Sequence, residues 1–170
     1  MDRLWSPWRY RYVSRTDTSE GCVFCNKPND SDEAGLILFR GRLNYVILNL
    51  FPYTTGHLMV VPYLHIAAFE ELGADAATEM MELTQRAVGC LKQVYHPEGL
   101  NIGMNLGECA GAGIAEHLHM HVLPRWTGDA NFMTTVGETR VMPEDLGDTW
   151  RRMSAAFHAA PINPPQPASQ

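Results

Sequence analysis

Three histidines at alternate positions are the residues of this chain whose spacing is best suited to chemistry. The run reads His117-Leu118-His119-Met120-His121, with one apolar residue between successive histidines. A period of two is typical of a β-strand, so the run predicts a strand over residues 116–125 with three imidazoles on one face. The intervening apolar residues then point into a core and fix that face, because a one-residue shift would bury all three rings.

Two kinds of chemistry suit three imidazoles on one strand face. Alternate residues of a strand lie roughly 6.5–7 Å apart, so two rings can approach one small centre from the same side. In one hypothesis the histidines bind a catalytic zinc whose open position holds water. In the other, one imidazole attacks phosphorus while the others stabilise charge or transfer protons. A third interpretation, a surface strand with solvated histidines, leaves unexplained why three of seven histidines share one face.

A pair of cysteines indicates a separate metal site. Cys22 and Cys25 form a C-x-x-C motif. Two thiolates and two imidazoles would complete the closed tetrahedral shell of a structural zinc, and His65 and one histidine of the strand are available. This arrangement leaves the other strand histidines free for chemistry. A redox pair and free thiols are the alternatives, but a redox pair is expected to open a helix after a strand, and Asn26-Lys27-Pro28 does not resemble one.

The segment directly before the histidines is rich in small residues. It reads Gly107-Glu108-Cys109-Ala110-Gly111-Ala112-Gly113. Small residues let backbone N–H groups approach phosphate oxygens and permit positive φ, so Gly111 and Gly113 are candidate nucleotide-binding positions. An ordinary flexible loop has the same composition, and the position next to three histidines is what favours phosphate binding.

The elements that must position these side chains follow from the hydrophobic pattern. Apolar runs separated by turn residues predict an antiparallel sheet of about five strands. Helical spacing of apolar residues predicts one long helix across the sheet and a shorter C-terminal helix. The predicted strands cover residues 36–39, 45–48, 57–62, 100–105 and 116–125, and the predicted helices cover residues 75–95 and 143–158. The expected fold class is therefore α+β.

Length and composition predict a single globular domain. A chain of 170 residues with 45% hydrophobic residues can bury a core without staples. We expect one domain over residues 1–160 and a flexible Pro-rich tail over residues 161–170. The aromatic and basic arm over residues 4–13 is expected to pack on the body or on a second subunit. Residues 14–34 are expected to form a loop held at the cysteine pair.

Charge and hydropathy argue against several classes of partner. The net charge is −6 and the pI is about 5.6, whereas general nucleic-acid and membrane-surface binders need clustered Lys and Arg. No apolar run approaches the roughly 18 residues of a membrane span, and the N-terminus lacks the pattern of a signal peptide. We therefore expect a cytoplasmic protein that binds neither nucleic acid nor membrane.

The histidine run also resembles a known family. The pattern His-apolar-His-apolar-His-apolar-apolar over residues 117–123 is that of the histidine triad (HIT) family of nucleotide hydrolases and transferases. The similarity extends from about Cys22 to Phe132. It includes Leu48-Asn49, Gly56-His57, Pro124-Arg125-Trp126 and Gly128-Asp129. Leu4-Trp5-Ser6-Pro7-Trp8-Arg9 and Asn131-Phe132 make the chain most similar to the branch that contains bacterial diadenosine tetraphosphate phosphorylases.

The resemblance implies a histidine triad fold and a nucleotidyl transfer. The middle histidine, His119, would attack the α-phosphorus of an adenine nucleotide ester, anhydride or phosphoramidate, with a dinucleoside polyphosphate as the expected substrate. His121 and His57 would hold the phosphoryl oxygens. Asn49 would contact the ribose, and Trp126 would be a further nucleotide-binding residue.

The same resemblance implies a metal site and an oligomer. The structural zinc would be bound by Cys22, Cys25, His65 and His117, and no organic cofactor is expected. The oligomer would be a homodimer in which two sheets join. Three alternatives remain open: a nucleoside phosphoramidate hydrolase, a nucleotide-binding sensor without turnover, and a zinc hydrolase that uses all three strand histidines.

Overall fold

The structure is a computed structural model that describes residues 21–137 and 142–159. Its centre is a five-stranded antiparallel sheet with strand order β1-β2-β3-β5-β4. The strands are β1 (Ile37–Arg40), β2 (Asn44–Leu48), β3 (Leu58–Pro62), β4 (Gly99–Gly103) and β5 (Met120–Arg125). The helices are α1 (Val23–Asn26), α2 (Asp32–Gly35), α3 (Ala74–Tyr95), α4 (Phe132–Thr135) and α5 (Leu146–Ala159). The predicted α+β class, five-stranded sheet, long helix and C-terminal helix are confirmed. The arm over residues 4–13 and the tail over residues 161–170 lie outside the described residues.

The central strands send alternate side chains to opposite faces of the sheet. One face packs against α3 and α5, and its buried strand residues are Val46, Leu48, Leu58, Val60 and Val122. The other face packs against Phe24 of α1, and its buried strand residues are Tyr45, Ile47, Met59 and Val61. Because both faces are covered, the central strands read as continuous apolar runs rather than as strict alternation. His121 lies on the Phe24 side of β5, opposite the long helix.

The turn between β1 and β2 is attached to α3 by one carboxylate. Glu79 Oε1 accepts the backbone N–H of Arg42 over 2.7 Å. Glu79 Oε2 accepts the backbone N–H groups of Leu43 and Asn44 over 2.6 and 2.7 Å, and Asn44 Nδ2 over 2.9 Å. These bonds fix the long helix against the start of β2.

The histidine strand begins later than predicted. β5 starts at Met120, so His117 and His119 lie in the segment before it. The backbone N–H of Leu118 donates to Ile66 O over 2.6 Å, in the loop that follows β3. The segment therefore leaves the sheet ladder to meet that loop, and a single backbone contact replaces strand pairing.

The expected loop over residues 14–34 is wrong in its described part. That part contains α1 and most of α2, and the side chain of Ser31 accepts the N–H of Ala34 at the start of α2. Cys22 precedes α1, and the N–H of Cys25 donates to Cys22 O over 3.1 Å. One helical turn places residues three apart on the same side, so α1 brings the two thiols together.

The long helix of the sheet is amphipathic rather than apolar throughout. The helix α3 buries Met80, Leu83, Ala87 and Leu91 on one side. On its other side it exposes Asp75, Glu82 and Lys92. Among the described residues, no helix has both the length and the apolar character needed to cross a membrane.

Candidate active site and metal cluster

His57 and His121 form a hydrogen-bonded pair on the Phe24 side of the sheet. His57 Nε2 lies 2.9 Å from His121 Nδ1, and both rings are buried. The backbone N–H of Tyr53 donates to His57 Nδ1 over 3.1 Å. Because a backbone N–H can only donate, the proton of a neutral His57 is on Nε2 and is donated to His121 Nδ1. The proton of a neutral His121 is consequently on Nε2.

His119 has the opposite arrangement of its ring nitrogens. Its Nδ1 lies 2.8 Å from the backbone oxygen of His117, which can only accept. The proton of His119 is therefore on Nδ1 and the lone pair is on Nε2. The rings of His119 and His121 are neighbours, with centroids 4.7 Å apart and planes at 77°. The site thus places a nitrogen with a lone pair next to a ring whose outer nitrogen carries a proton.

Burial keeps the rings of His119 and His121 neutral near pH 7. Desolvation lowers the pKa of His119, although the hydrogen bond to His117 O acts in the opposite direction. Desolvation and the neighbouring His119 lower the pKa of His121 to about 4. A neutral imidazole retains the lone pair that nucleophilic attack requires, so the site is prepared for attack without prior loss of a proton.

Two aromatic side chains hold the imidazoles in position. The ring of Tyr53 lies 4.8 Å from that of His57 and stacks over that of His121 at 6.3 Å. The ring of Phe24 lies 5.0 Å from that of His119, and its backbone oxygen accepts the buried hydroxyl of Tyr45 over 2.8 Å. The rotation of each ring is therefore limited by packing as well as by hydrogen bonds.

The chain reaches His57 through a glycine that no other residue can replace without strain. Gly56 has φ +80°, and a Cβ at this position would lie 3.1 Å from a side-chain carbon of Leu91 and 3.2 Å from one of Tyr95. The close approach to α3 and the positive φ both require glycine. The turn before β3 thereby fixes the position of His57 relative to the long helix.

A second cluster lies beside the histidines. Its four ligand atoms, from Cys22, Cys25, His65 and His117, all lie within 4.8 Å of one another. His117 Nδ1 is 3.3 Å from Cys22 Sγ and 3.6 Å from Cys25 Sγ, and His65 Nδ1 is 3.3 Å from Cys25 Sγ. Zinc bonds of about 2.3 Å to sulfur and about 2.0 Å to nitrogen separate tetrahedral ligand atoms by about 3.5 Å. The donor set and its spacing fit a zinc ion.

The ring of His117 is oriented toward this cluster by the backbone. Its Nε2 lies 2.9 Å from Pro62 O, so the proton is on Nε2 and the lone pair of Nδ1 faces the thiols. The backbone oxygen of the same residue orients His119. His117 therefore connects the cysteine–histidine cluster to His119, whose Nε2 carries a lone pair.

The three histidines of the run do not converge on one point. His117 Nδ1 faces the cysteines, His119 Nδ1 faces a backbone oxygen, and His121 Nδ1 accepts from His57. A catalytic zinc bound by all three imidazoles needs three nitrogen lone pairs aimed at a common centre. This geometry does not favour the zinc-hydrolase alternative.

The predicted nucleotide-binding residues lie in three different places. Asn49 is buried, with Oδ1 accepting the N–H of Phe51 over 3.0 Å and Nδ2 3.3 Å from His57 Nδ1. Gly111 has φ +95°, and it lies with the half-buried Gly113 in the loop before the histidines. Trp126 is half-buried directly after β5 and lines a cavity. The amide of Asn49 thus contacts His57, whereas the sequence predicted only a contact of Asn49 with ribose.

Several groups that shape the site were not identified from the sequence. They are the backbone N–H of Tyr53, the ring of Phe24 and the backbone oxygen of Pro62. Two of these are main-chain groups, which every residue type supplies, so no side-chain pattern marks them. Phe24 could have been inferred from its place within the C-x-x-C motif.

Comparison with known proteins places the chain among histidine triad sequences and structures. The sequence model of the HIT domain family matches residues 33–128 of the chain. The chain is 43% identical over 169 residues to a Mycobacterium tuberculosis protein named AP-4-A phosphorylase, covering 95% of this chain and 87% of that protein. The structure is similar to that of a Zn-bound histidine triad family protein from Mycobacterium smegmatis, with a TM-score of 0.66, 26% identity, and coverage of 81% and 94%. A histidine triad nucleotide-binding protein from Sulfolobus tokodaii shares the fold, with a TM-score of 0.65, 22% identity, and coverage of 81% and 92%.

Proposed function

Because this chain belongs to the histidine triad (HIT) family, we propose that it is a nucleotidyl transferase or hydrolase acting on the α-phosphorus of dinucleoside polyphosphates. The observation that carries the proposal is the opposed arrangement of ring nitrogens, with a lone pair on His119 Nε2 and a proton on His121 Nε2. The similarity to a protein named AP-4-A phosphorylase supports diadenosine tetraphosphate as the substrate to test first.

In the first step His119 Nε2 attacks the α-phosphorus. A P–N bond forms, and the P–O bond to the leaving nucleoside polyphosphate breaks, so the electron pair of that bond leaves with its oxygen. The imidazole becomes positively charged, and the hydrogen bond from His119 Nδ1 to His117 O stabilises that charge. His121 donates a hydrogen bond from its Nε2–H to a phosphoryl oxygen and keeps that proton, and His121 is itself oriented by His57. The product is a nucleotidyl-histidine.

In the second step an oxygen of phosphate or water attacks the same phosphorus. The P–N bond breaks, and the electron pair returns to His119 Nε2. With phosphate as the acceptor, diadenosine tetraphosphate gives ADP and ATP. With water, the attacking oxygen loses a proton to solvent, and the products are AMP and ATP.

We further propose that the cluster of Cys22, Cys25, His65 and His117 binds one structural zinc ion. Four protein ligands would leave no open coordination position, so the ion would cross-link α1, the loop after β3 and the segment before β5. Similarity to a Zn-bound histidine triad protein supports this assignment. The chain's own contribution to the reaction from this cluster is to hold His117, whose backbone oxygen orients His119.

The remaining predicted contacts belong to the same proposal. Gly111 and Gly113 would offer backbone N–H groups to phosphate, and Trp126 would contact the nucleotide. Asn49 would serve the ribose from a position where its amide also meets His57. A homodimer that joins two sheets is supported by the edge strand β4, where Ile102 is 49% exposed.

The test is to trap the covalent intermediate and identify the products. Protein and labelled diadenosine tetraphosphate are mixed, quenched in acid within milliseconds and separated from free nucleotide, with and without phosphate. His119→Asn should abolish the adduct and lower turnover by more than about a thousandfold, because it removes the attacking atom. His121→Asn should cost less, since the attacking atom is retained.

His96→Asn provides a matched control. His96 is exposed, ends α3 with φ +47°, and Asn tolerates that conformation well. The control should retain wild-type turnover and adduct. Robust turnover without any adduct, or full activity in His119→Asn, would refute covalent catalysis. Nucleotide binding without turnover would instead favour the sensor.

A further inference from the structure

A cavity of about 770 Å³ lies next to the histidine pair, on the far side of Tyr53. Its lining includes Tyr53, Thr55, Tyr95, Trp126 and Arg152. The side chain of Tyr53 lies between the cavity and the histidines, since the centroid of its ring is 4.8 Å from that of His57. Small-molecule sites commonly have volumes of about 300–1,000 Å³, so the cavity is large enough for a nucleoside.

Each of the two arginines around the cavity is paired with a carboxylate, so their charges cancel. Arg125 is paired with Asp129 over 2.6 Å, and Arg152 is paired with Glu144 over 2.9 Å. A site for free polyphosphate would need an excess of positive charge, which these two pairs do not supply. Hydrogen-bonding groups with no net charge, together with three aromatic rings, instead suit a neutral ligand that has a flat face and polar edges.

One polar group in the cavity wall lacks a partner in the described part of the chain. Thr55 is 8% exposed, and its buried Oγ1 makes no hydrogen bond there. A buried hydroxyl without a partner is unfavourable, and a ligand that supplies one removes that penalty. The side chain of threonine has three staggered positions about χ1, so Thr55 can turn Oγ1 toward a bound ligand by changing rotamer without movement of the backbone.

The cavity is connected to the strand that carries His121. Thr54 Oγ1 donates to Pro124 O over 3.0 Å and ties the Tyr53–Thr55 turn to β5, the strand that carries His121. The cavity therefore lies beside the pair of His57 and His121, from which it is separated by the side chain of Tyr53. The second nucleoside of a dinucleoside polyphosphate is neutral, flat and polar at its edges, which matches the lining.

We propose that this cavity binds the nucleoside of the leaving group, and that Thr55 Oγ1 hydrogen-bonds to its base or ribose. The proposal rests on the nucleotidyl transfer described above and adds a specificity site to it. Substrates with two nucleosides would use the cavity, whereas substrates with a small leaving group would not.

The test compares two substrates that share the adenylyl group but differ in the leaving group. Diadenosine tetraphosphate carries a second nucleoside, and adenosine 5′-phosphoramidate does not. Thr55→Val removes the hydroxyl at nearly constant volume and should lower kcat/KM for diadenosine tetraphosphate by about fivefold, mainly through KM. Ala130→Trp puts a large ring into the cavity from its exposed edge and should lower it by more than about tenfold. Neither change should alter kcat/KM for the phosphoramidate by more than about twofold.

Thr84→Val is the matched control. Thr84 is also buried, but its Oγ1 donates to Met80 O over 2.7 Å within α3, away from the cavity. It should lower thermal stability and leave both kcat/KM values unchanged, whereas Thr55→Val should not lower stability.

The outcomes separate this proposal from the proposed function. If the wild-type protein cleaves both substrates and the two cavity variants affect them equally or not at all, the cavity proposal is overturned and nucleotidyl transfer stands. If the wild-type protein cleaves neither substrate, both proposals fall. Should Thr55→Val not fold, Ala130→Trp decides the question, because Ala130 is exposed.

Discussion

Replacing Glu79 with Gln should destabilise the protein by an amount that its hydrogen bonds predict. The carboxylate accepts three backbone N–H groups and the side-chain amide of Asn44. In Glu79→Gln the remaining oxygen can still serve Leu43 and Asn44, but the new NH₂ group faces the N–H of Arg42. Arg42 is exposed, so water can replace that partner.

The magnitude follows from the loss of charge at the three retained bonds. Hydrogen bonds to a charged acceptor contribute about 1.5–3 kcal/mol, and neutral ones contribute about 0.5–1.5 kcal/mol. A loss of about 1 kcal/mol at each of three bonds lowers the free energy of unfolding by about 3 kcal/mol. For a protein of this size that corresponds to a fall in Tm of about 6–12 °C.

The loss should also depend on pH. Burial by itself would raise the pKa of Glu79, but the hydrogen bonds from Asn44 and from the backbone of residues 42–44 lower it below 4.5. The folded pKa therefore lies below the unfolded one. The stabilisation is complete above about pH 4.5 and is lost as the pH falls through the folded pKa. Wild-type and variant stabilities should converge in acid.

Urea unfolding followed by tryptophan fluorescence measures the effect, and Glu82→Gln is the control. Glu82 lies three residues later on α3 and is exposed, so its replacement should change the free energy of unfolding by less than about 0.5 kcal/mol. If Glu79→Gln were as mild as the control at pH 7, the reasoning about this carboxylate would be refuted.

Three further predictions concern the site and the assembly. Because burial and His119 lower the pKa of His121 to about 4, the midpoint of its NMR titration should lie well below pH 6.5, and a midpoint near 6.5 would contradict the burial argument. As the pH falls, the unfolded chain binds this proton before the folded chain does, so His121 should lower the free energy of unfolding between about pH 6.5 and 4. Metal analysis should find about one zinc per chain, and metal-free protein purified without chelator would rule the zinc out. Cys22→Ser should lower Tm clearly but leave turnover of the folded protein little changed, because a closed site contributes to folding. Sedimentation should give about twice 19.0 kDa at micromolar concentration, and a stable monomer would remove the homodimer.

The sequence predicted what side-chain patterns determine, and it missed what the main chain determines. Apolar runs identified every strand of the sheet, and their ends differ from the structure by a few residues. The histidine strand was the exception at its start, because Leu118 bonds to Ile66 of a distant loop, and no local pattern reports such a contact. The grouping of Cys22 and Cys25 with His65 and His117 followed from family resemblance, whereas spacing alone left the fourth ligand undecided.

The opposed proton positions of His119 and His121 could not be read from the run itself. The two residues look equivalent in a repeating pattern. They differ because His119 meets a carbonyl oxygen, whereas His121 meets an imidazole that is itself fixed by the backbone N–H of Tyr53. The contact of His119 is local but made by the main chain, and the contact of His121 is long-range, so the side-chain pattern of the run reports neither of them.

The side chain and the backbone carbonyl of His117 make two different contacts. Its imidazole faces the cysteines, and its carbonyl oxygen orients His119. A carbonyl is present whatever side chain occupies position 117, so a substitution there can remove the imidazole from the cysteines but cannot remove the oxygen that orients His119. Successive substitutions can therefore replace the cysteine–histidine cluster with another cross-link, provided that each of them keeps the local backbone path.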